Sequence, residues 1–147
     1  MQGTVCAYHG KSEVQPVGTC VYIVENEMVF SYLMEQVQGK NVSLLCTSGQ
    51  PRYAALKLIS LIVQSGIPIY YSGGLDPDGI GIADRLWQRF GNRIQFFGMS
   101  PEDYRNSLSK EVFGENGRKK LEHIWHPLLR ETAELVRKTG KAGYQEN

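Results

Sequence analysis

The sequence predicts an α/β fold: a mostly parallel, four-stranded sheet with helices on both faces, followed by a C-terminal helical segment. Three observations predict it. Short apolar runs rich in β-branched residues recur along the chain, stretches with apolar residues at helical spacing follow them, and glycine or proline marks most of the junctions. Such alternation of strands and helices is typical of a parallel sheet covered by helices.

Four apolar runs are the predicted strands, at residues 19–24, 42–46, 67–71 and 93–97. The first is almost continuously apolar, which is typical of a central strand covered on both faces. Pro68 lies at the start of the third run, where the missing N–H of a proline is tolerated. The four runs therefore predict the strands of one sheet.

Apolar residues at helical spacing predict a helix after each of the first three strands, at residues 28–37, 54–62 and 82–90. Gly39 and Gly66 end the first two helices. A helix-start signature at residues 100–103 predicts a short fourth helix. A longer helical stripe covers residues 118–139 and is interrupted near Pro127, because a proline cannot continue the hydrogen bonding of a helix.

The chain of 147 residues suffices for one compact domain. The polar residues 1–18 are predicted to be irregular, and residues 19–106 form the α/β domain. Residues 107–147 comprise a polar connector and the C-terminal helix, which we expect to pack on that domain. The last eight residues, 140–147, are predicted to be frayed.

Composition excludes several classes of protein. Sixteen basic and fifteen acidic residues give a net charge of +1, which excludes a strongly basic nucleic-acid arm but leaves room for a local basic patch. No apolar run approaches the roughly 18 residues that cross a bilayer, and no signal peptide is apparent. Cys20 and Cys46 lie inside apolar runs, as buried thiols do. We therefore expect a cytoplasmic protein without membrane contact.

Acidic residues follow two of the predicted strands. Glu25 comes directly after the first strand, and Asp76 and Asp78 lie in the glycine-rich stretch after the third. Ligands of open parallel sheets bind beyond the carboxyl ends of the strands, so we expect these carboxylates to converge on one edge. Clustered carboxylates repel one another unless a cation intervenes, and hard oxygen ligands suit Mg²⁺ or Mn²⁺. Such an ion can polarise a phosphodiester and activate a water.

Other interpretations of the same acidic residues stay open. An acid at a helix start often serves only as a cap, which is an even alternative for Asp78 and a weaker one for Glu25. Asp84 is predicted to be a solvated helix residue. His123 and His126 lie three apart on one helix, and structural or solvent-exposed roles are favoured over metal binding.

A phosphate site is predicted beside the acidic edge. Ser48 and Gly49 lie in the turn before the second helix, whose N-terminal backbone N–H groups can bind a phosphate, although such a turn is as often only a turn. Arg52 begins that helix and is the best single candidate for a phosphate contact. The basic run 118–120 is predicted to be a solvated helix start.

The strand ends resemble the Toprim (topoisomerase–primase) superfamily over residues 19–104. The resemblance rests on Glu-Asn at 25–26, Cys-Thr-Ser-Gly-Gln-Pro at 46–51 and Gly-Gly-Leu-Asp-Pro-Asp-Gly-Ile-Gly-Ile-Ala at 73–83. More narrowly, the sequence is similar to the Toprim-like C-terminal domain of uncharacterised bacterial proteins. That group is related to the nuclease subunit of Wadjet plasmid-defence systems and to the A subunit of topoisomerase VI.

The resemblance implies a Toprim-like sheet that binds Mg²⁺ through a glutamate and an Asp-x-Asp motif. Glu25 matches the glutamate, and Asp76 matches the second aspartate of the motif. Gly74 stands at the position of the first aspartate, and Asp78 is the candidate substitute. In topoisomerases the cleaving tyrosine lies in a separate domain that this chain has no room for, so hydrolysis is the expected reaction.

The expected function is therefore a metal-dependent, DNA-processing nuclease module of a longer bacterial protein in DNA maintenance or defence. An upstream domain or partner subunits are expected to take part. Because Gly74 lacks a carboxylate, the alternative is a catalytically degenerate module that binds nucleic acid or a protein partner. A third class is an enzyme that acts on a phosphorylated metabolite at the same edge.

Overall fold

The structure, a computed structural model, describes residues 5–8, 20–48 and 52–144. The chain divides into two compact units. The first comprises residues 1–71 and 92–95, and the second comprises residues 72–91 and 96–147. Each unit is described below by itself.

The first unit is built on a five-stranded sheet with the strand order β1–β3–β2–β4–β5. β3 pairs in parallel with β1 and with β2, and Val24 of β2 lies opposite Cys46 of β3. A parallel sheet flanked by helices confirms the predicted α/β class. The strands are β1 (Val5–Tyr8), β2 (Val21–Val24), β3 (Val42–Cys46), β4 (Ile69–Ser72) and β5 (Ile94–Phe96).

β1 corrects the prediction that residues 1–18 are irregular and that the sheet has four strands. Val5–Tyr8 form a strand at the edge of the sheet and pair with residues 42–45 of β3. An edge strand of four residues is too short to show a periodic pattern, and backbone pairing with a neighbouring strand can hold it in place. Residues 1–4 and 9–18 of the predicted irregular segment lie outside the described residues.

Two helices belong to the first unit, α1 (Glu27–Gln36) and α2 (Arg52–Gln64). Asn26 caps α1, and its side-chain oxygen accepts hydrogen bonds from the N–H groups of Met28 at 2.7 Å and Val29 at 3.1 Å. All residues of α1 are described, and none of them is buried. α2 contributes four buried apolar residues to the core of this unit: Leu58, Ile59, Ile62 and Val63. The strands contribute further buried residues, among them Val21, Ile23, Leu44, Leu45 and Ile69.

The second unit contains four helices and a small antiparallel sheet. The predicted long C-terminal stripe is two helices with a break before Pro127, as expected, because Pro127 begins the second of them. The helices are α3 (Pro77–Phe90), α4 (Pro101–Asn106), α5 (Glu115–Lys120) and α6 (Pro127–Thr139), and the strands are β6 (Leu108–Val112) and β7 (Lys141–Gly143).

β6 and β7 correct two predictions, the polar connector at 107–117 and the frayed end at 140–147. β6 is exposed at four of its five positions, so its sequence lacks the apolar alternation that identifies a half-buried strand. Its strand conformation depends on pairing with β7, whose Ala142 and Gly143 are buried. A Cβ atom at Gly143 would lie 2.8 Å from the Ser107 hydroxyl oxygen, so this strand packs too closely for a side chain there. Residues 145–147 lie outside the described residues.

The prediction that Asp84 is a solvated helix residue is wrong, because Asp84 is buried. Its side chain is 2% exposed and accepts hydrogen bonds from the backbone N–H groups of Trp125 at 3.1 Å and His126 at 2.8 Å, and from the Gln88 amide at 2.8 Å. The Nδ1 atom of His126 in turn accepts the Leu129 N–H and caps α6. A single residue on α3 thus fixes the segment that starts α6, and His126 has the structural role that the sequence favoured.

None of the helices in the described ranges combines the length and the apolar character that crossing a membrane requires.

Candidate functional site

Glu25 lies at the carboxyl end of β2, between the strand and the cap of α1. Its carboxylate accepts a hydrogen bond from the Tyr71 hydroxyl, and its backbone carbonyl accepts one from the Cys46 thiol at 3.9 Å. β2 is flanked by β3 and β4 in the sheet, so the two contacts come from the strands on either side. Three adjacent strands therefore position this one acidic residue.

Tyr71 is the buried partner in this contact. Its side chain lies on β4 and is 2% exposed. Burial raises the pKa of the Tyr71 hydroxyl well above the usual value for tyrosine, and the charge of Glu25 and their hydrogen bond raise it further. The hydroxyl therefore stays protonated at neutral pH and donates a hydrogen bond to the Glu25 carboxylate.

Cys46 is the buried thiol that the sequence predicted. Burial raises the pKa of its thiol above the usual range, the negative charge of Glu27 adds to this effect, and a hydrogen bond from the Ser48 backbone opposes it. A thiol with a raised pKa is a poor nucleophile, because the thiolate is the reactive species. Cys46 thus contributes packing and the contact with Glu25 rather than reactivity.

The predicted phosphate residues are described only in part. Ser48 lies in the turn after β3, and Arg52 begins α2. Gly49 and the side chain of Arg52 lie outside the described residues. The phosphate site at these three positions stays a prediction.

Asp76 caps α3, the first helix of the second unit. Its Oδ1 atom accepts the Gly79 N–H at 2.6 Å, and Pro77 occupies the first helical position. The cap that the sequence left open for Asp78 therefore belongs to Asp76, because the helix begins at Pro77, two residues earlier than that alternative requires. Asp78 lies in the first turn, where the helix dipole favours a negative charge.

Two glycines shape the loop around Asp76. A Cβ atom at Gly79 would lie 2.2 Å from the carbonyl oxygen of Gly74, so the loop packs on the first turn of α3 more closely than any side chain allows. A Cβ atom at Gly74 would instead lie 3.8 Å from both carboxylate oxygens of Asp76, which is ordinary van der Waals contact. Position 74 therefore has room for a Cβ atom beside the Asp76 carboxylate.

Asp78 forms an ion pair on the surface. Its Oδ1 atom lies 2.8 Å from the Lys120 ammonium, and the two side chains are 74% and 58% exposed. Exposed pairs of this kind contribute between about 0 and 1 kcal/mol to stability, so a stronger ligand could displace the lysine at little cost.

The loop after β4 is acidic enough to disturb the ionisation of Asp76. Partial burial is the largest cause that raises the pKa of Asp76, the charges of Asp78 and Glu111 raise it further, and the hydrogen bond from Gly79 opposes them. The ionised form of Asp76 is therefore disfavoured, and a bound cation would relieve this cost.

The three predicted metal ligands belong to different units, Glu25 to the first and Asp76 and Asp78 to the second. Within residues 5–8, 20–48 and 52–144, no group of three or more His, Cys, Asp or Glu side chains forms a metal-binding cluster. The acidic pair in the second unit nevertheless fits Mg²⁺ chemically. This ion is commonly held by one or two carboxylates while it keeps several waters.

Residues 4–147 match the model of the DUF2399 family, which is described as a protein of unknown function C-terminus. The chain belongs to the DUF2399 family. No curated protein is similar enough to the chain to count as a relative. The match of this DUF2399 domain includes both compact units and all six candidate residues: Glu25, Ser48, Gly49, Arg52, Asp76 and Asp78.

Tyr71 is the residue of the site that the sequence did not predict. Tyr70 and Tyr71 are neighbours on β4, and neighbouring strand residues point to opposite faces of a sheet. Tyr70 stacks on Tyr22 with ring centroids 5.1 Å apart, whereas Tyr71 reaches Glu25. The one signal in the sequence was the position of both tyrosines near the end of the third predicted strand, which does not decide between them.

Proposed function

We propose that this DUF2399 domain is a Toprim-like, metal-dependent, nucleic-acid-processing domain of the cytoplasm. Its proposed reaction is hydrolysis of a phosphodiester in DNA. The observation that carries the proposal is Glu25, a carboxylate directly after a central strand of a parallel sheet, held by the buried Tyr71. Ligand sites of open parallel sheets lie beyond this end of the strands.

Two further observations support the proposal. The loop after β4 carries Asp76 and Asp78, and burial, together with the charges of Asp78 and Glu111, raises the pKa of Asp76. The family description, which names a C-terminus, supports a place at the end of a longer protein. Upstream domains or partner subunits would then supply part of the affinity for DNA, since the net charge of this chain is only +1.

In the proposed mechanism Glu25, Asp76 and Asp78 would hold Mg²⁺ or Mn²⁺. When bound, such an ion polarises the phosphodiester and lowers the pKa of a water. The Ser48 and Gly49 backbone and the Arg52 side chain orient the phosphate. The attacking water would pass its proton to bulk solvent. Its oxygen would form a bond to phosphorus as the bond to the leaving oxygen breaks, and the leaving oxygen would take up a proton from solvent water.

Cleavage of supercoiled plasmid and of single-stranded DNA in Mg²⁺ or Mn²⁺ tests this function. We expect wild type to nick DNA and the Glu25→Gln and Asp76→Asn variants to lose at least about a hundredfold in rate, since each loses a metal ligand. Glu35→Gln, which removes an exposed carboxylate from α1, is the matched control and should stay active. Equal cleavage by all variants would contradict the proposal.

A catalytically degenerate module that binds nucleic acid or a protein is the second candidate. It is favoured by the contacts that occupy the acidic loop, since Asp76 caps α3 and Asp78 pairs with Lys120. Wild type would then bind DNA with an affinity that neither Mg²⁺ nor the Glu25→Gln substitution changes. Turnover of a phosphate monoester without any action on DNA would instead favour an enzyme of phosphorylated metabolites.

A further inference from the structure

The backbone on both sides of Glu25 is fixed by hydrogen bonds. Before it, the carbonyl of Val24 accepts the Thr47 N–H of the neighbouring strand end at 2.9 Å. After it, Asn26 caps α1 through two hydrogen bonds and its carbonyl accepts the Phe30 N–H at 2.9 Å. The Cα atom of Glu25 therefore has little freedom, and the orientation of its carboxylate depends on the side-chain torsions.

The Tyr71 hydroxyl acts on those torsions. It donates to Oε1 of Glu25 from a ring that is 2% exposed and held on β4, beside β2 in the sheet. A buried ring has few alternative rotamers, so its hydroxyl is a fixed point for the more exposed glutamate. A hydrogen bond from a rigid donor helps to orient the carboxylate that accepts it.

We propose that Tyr71 is a positioning residue that orients the Glu25 carboxylate for binding a divalent cation. The inference rests on the proposed function, in which Glu25 is a metal ligand. Tyr71 touches neither the cation nor the phosphate in this scheme. It acts through Glu25, as residues that hydrogen-bond to metal ligands generally do, and their removal typically lowers metal affinity about 10- to 100-fold.

Titration of the full chain with Mn²⁺, followed by electron paramagnetic resonance of the free ion, tests the inference. We expect Tyr71→Phe, which removes one oxygen atom, to weaken Mn²⁺ binding by about tenfold or more. Tyr70→Phe is the matched control, because it removes the same atom from the adjacent residue, which stacks on Tyr22. It should bind Mn²⁺ as wild type does.

A second readout does not depend on affinity. Binding of Mn²⁺ at Glu25 alters the environment of the Tyr71 ring, so wild type and Tyr70→Phe should show a tyrosine difference spectrum in the ultraviolet. The same spectrum should be absent from Tyr71→Phe at saturating Mn²⁺. This spectrum locates the bound ion beside Tyr71. A hydroxyl that only satisfies a buried polar group would change stability and leave the Mn²⁺ affinity unaltered.

The outcomes separate the inference from the function on which it rests. If wild type binds Mn²⁺ and Tyr71→Phe binds it equally well, the positioning role is overturned and the metal site stands. If wild type binds no Mn²⁺, both fall. Should Tyr71→Phe fail to fold, Glu25→Asp withdraws the carboxylate from the hydroxyl by one methylene. Unchanged Mn²⁺ affinity in that variant would also overturn the role.

Discussion

Acidic residues in the two units are held in place in different ways. In the first unit, Glu25 is fixed by Tyr71, which lies 46 positions later in the sequence. In the second unit, Asp76 is fixed by the Gly79 N–H, only three positions away. The first arrangement requires the sheet to be assembled, whereas the second needs only the start of one helix. Glu25 and Asp76, two of the proposed metal ligands, therefore have different structural prerequisites.

Asp84 is an acidic residue of the second unit that does depend on distant contacts. Replacing it by alanine should destabilise the protein by about 3 kcal/mol, because the N–H groups of Trp125 and His126 lose their buried acceptor. The free energy of unfolding from urea titration measures this. Asp78→Ala, on the same helix but exposed, is the control and should cost less than about 1 kcal/mol. Equal losses for the two variants would refute the distinction.

Gly79→Ala should have the next largest effect, since it tests the close packing of the loop on α3. The new Cβ atom would lie 2.2 Å from the Gly74 carbonyl oxygen, so the loop must move, at an expected cost of about 2 kcal/mol. At Gly81, on the same helix, the nearest atoms to a Cβ belong to the Arg85 guanidinium at 3.8 Å. Gly81→Ala should therefore stabilise the protein by about 0.5 kcal/mol. Thermal unfolding of both variants is the measurement, and a tolerated Gly79→Ala would contradict the packing.

Asp76→Asn should have the smallest effect, and one that depends on pH. Asparagine caps a helix as well as aspartate does, so the variant isolates the charge. Burial and the neighbouring carboxylates raise the pKa of Asp76 in the folded state. The stability that its proton contributes is present in full below the unfolded pKa and is lost as pH rises through the folded pKa.

Wild type should therefore lose stability relative to Asp76→Asn as the pH rises above about 4, the usual range for an aspartate. Urea unfolding of both proteins at a series of pH values measures the difference. A difference that stays constant with pH would show that folding does not raise the pKa of Asp76.

The sequence predicted most of the fold because its signals are local. The strand and helix patterns from residue 19 to residue 106 and the break before Pro127 follow from spacing and from single glycines and prolines. β1 and the β6–β7 pair were missed, since short or exposed strands are held by their partners rather than by a pattern of their own. Asp84 was assigned to solvent for the same reason, because its partners lie about forty positions away.

In the candidate site, too, features with a local sequence signal were predicted and features that depend on distant partners were not. The sequence placed Glu25 directly after a strand, and this position is confirmed. It placed Asp76 in a glycine-rich loop before a helix at 82–90, whereas the helix begins at Pro77 and Asp76 caps it. The sequence did not predict that Asp76 caps α3 or that Asp78 forms an ion pair. Assigning the cap requires the first residue of α3 to be known without error, and the sequence pattern does not give it to that precision. The sequence could not predict the contact between Tyr71 and Glu25, since only the register of the sheet decides which of two adjacent tyrosines contacts Glu25.

Restoring the missing carboxylate tests the central claim, that these acidic residues hold a divalent cation. A Cβ atom at position 74 would lie 3.8 Å from the Asp76 carboxylate oxygens. Mn²⁺ titration of the Gly74→Asp variant should therefore show binding at least about tenfold tighter than in wild type, since affinity rises with the number of charged ligands. Gly81→Asp, which adds the same charge elsewhere on α3, should bind as wild type does. No detectable binding to wild type, together with no gain over Gly81→Asp in the Gly74→Asp variant, would contradict the account.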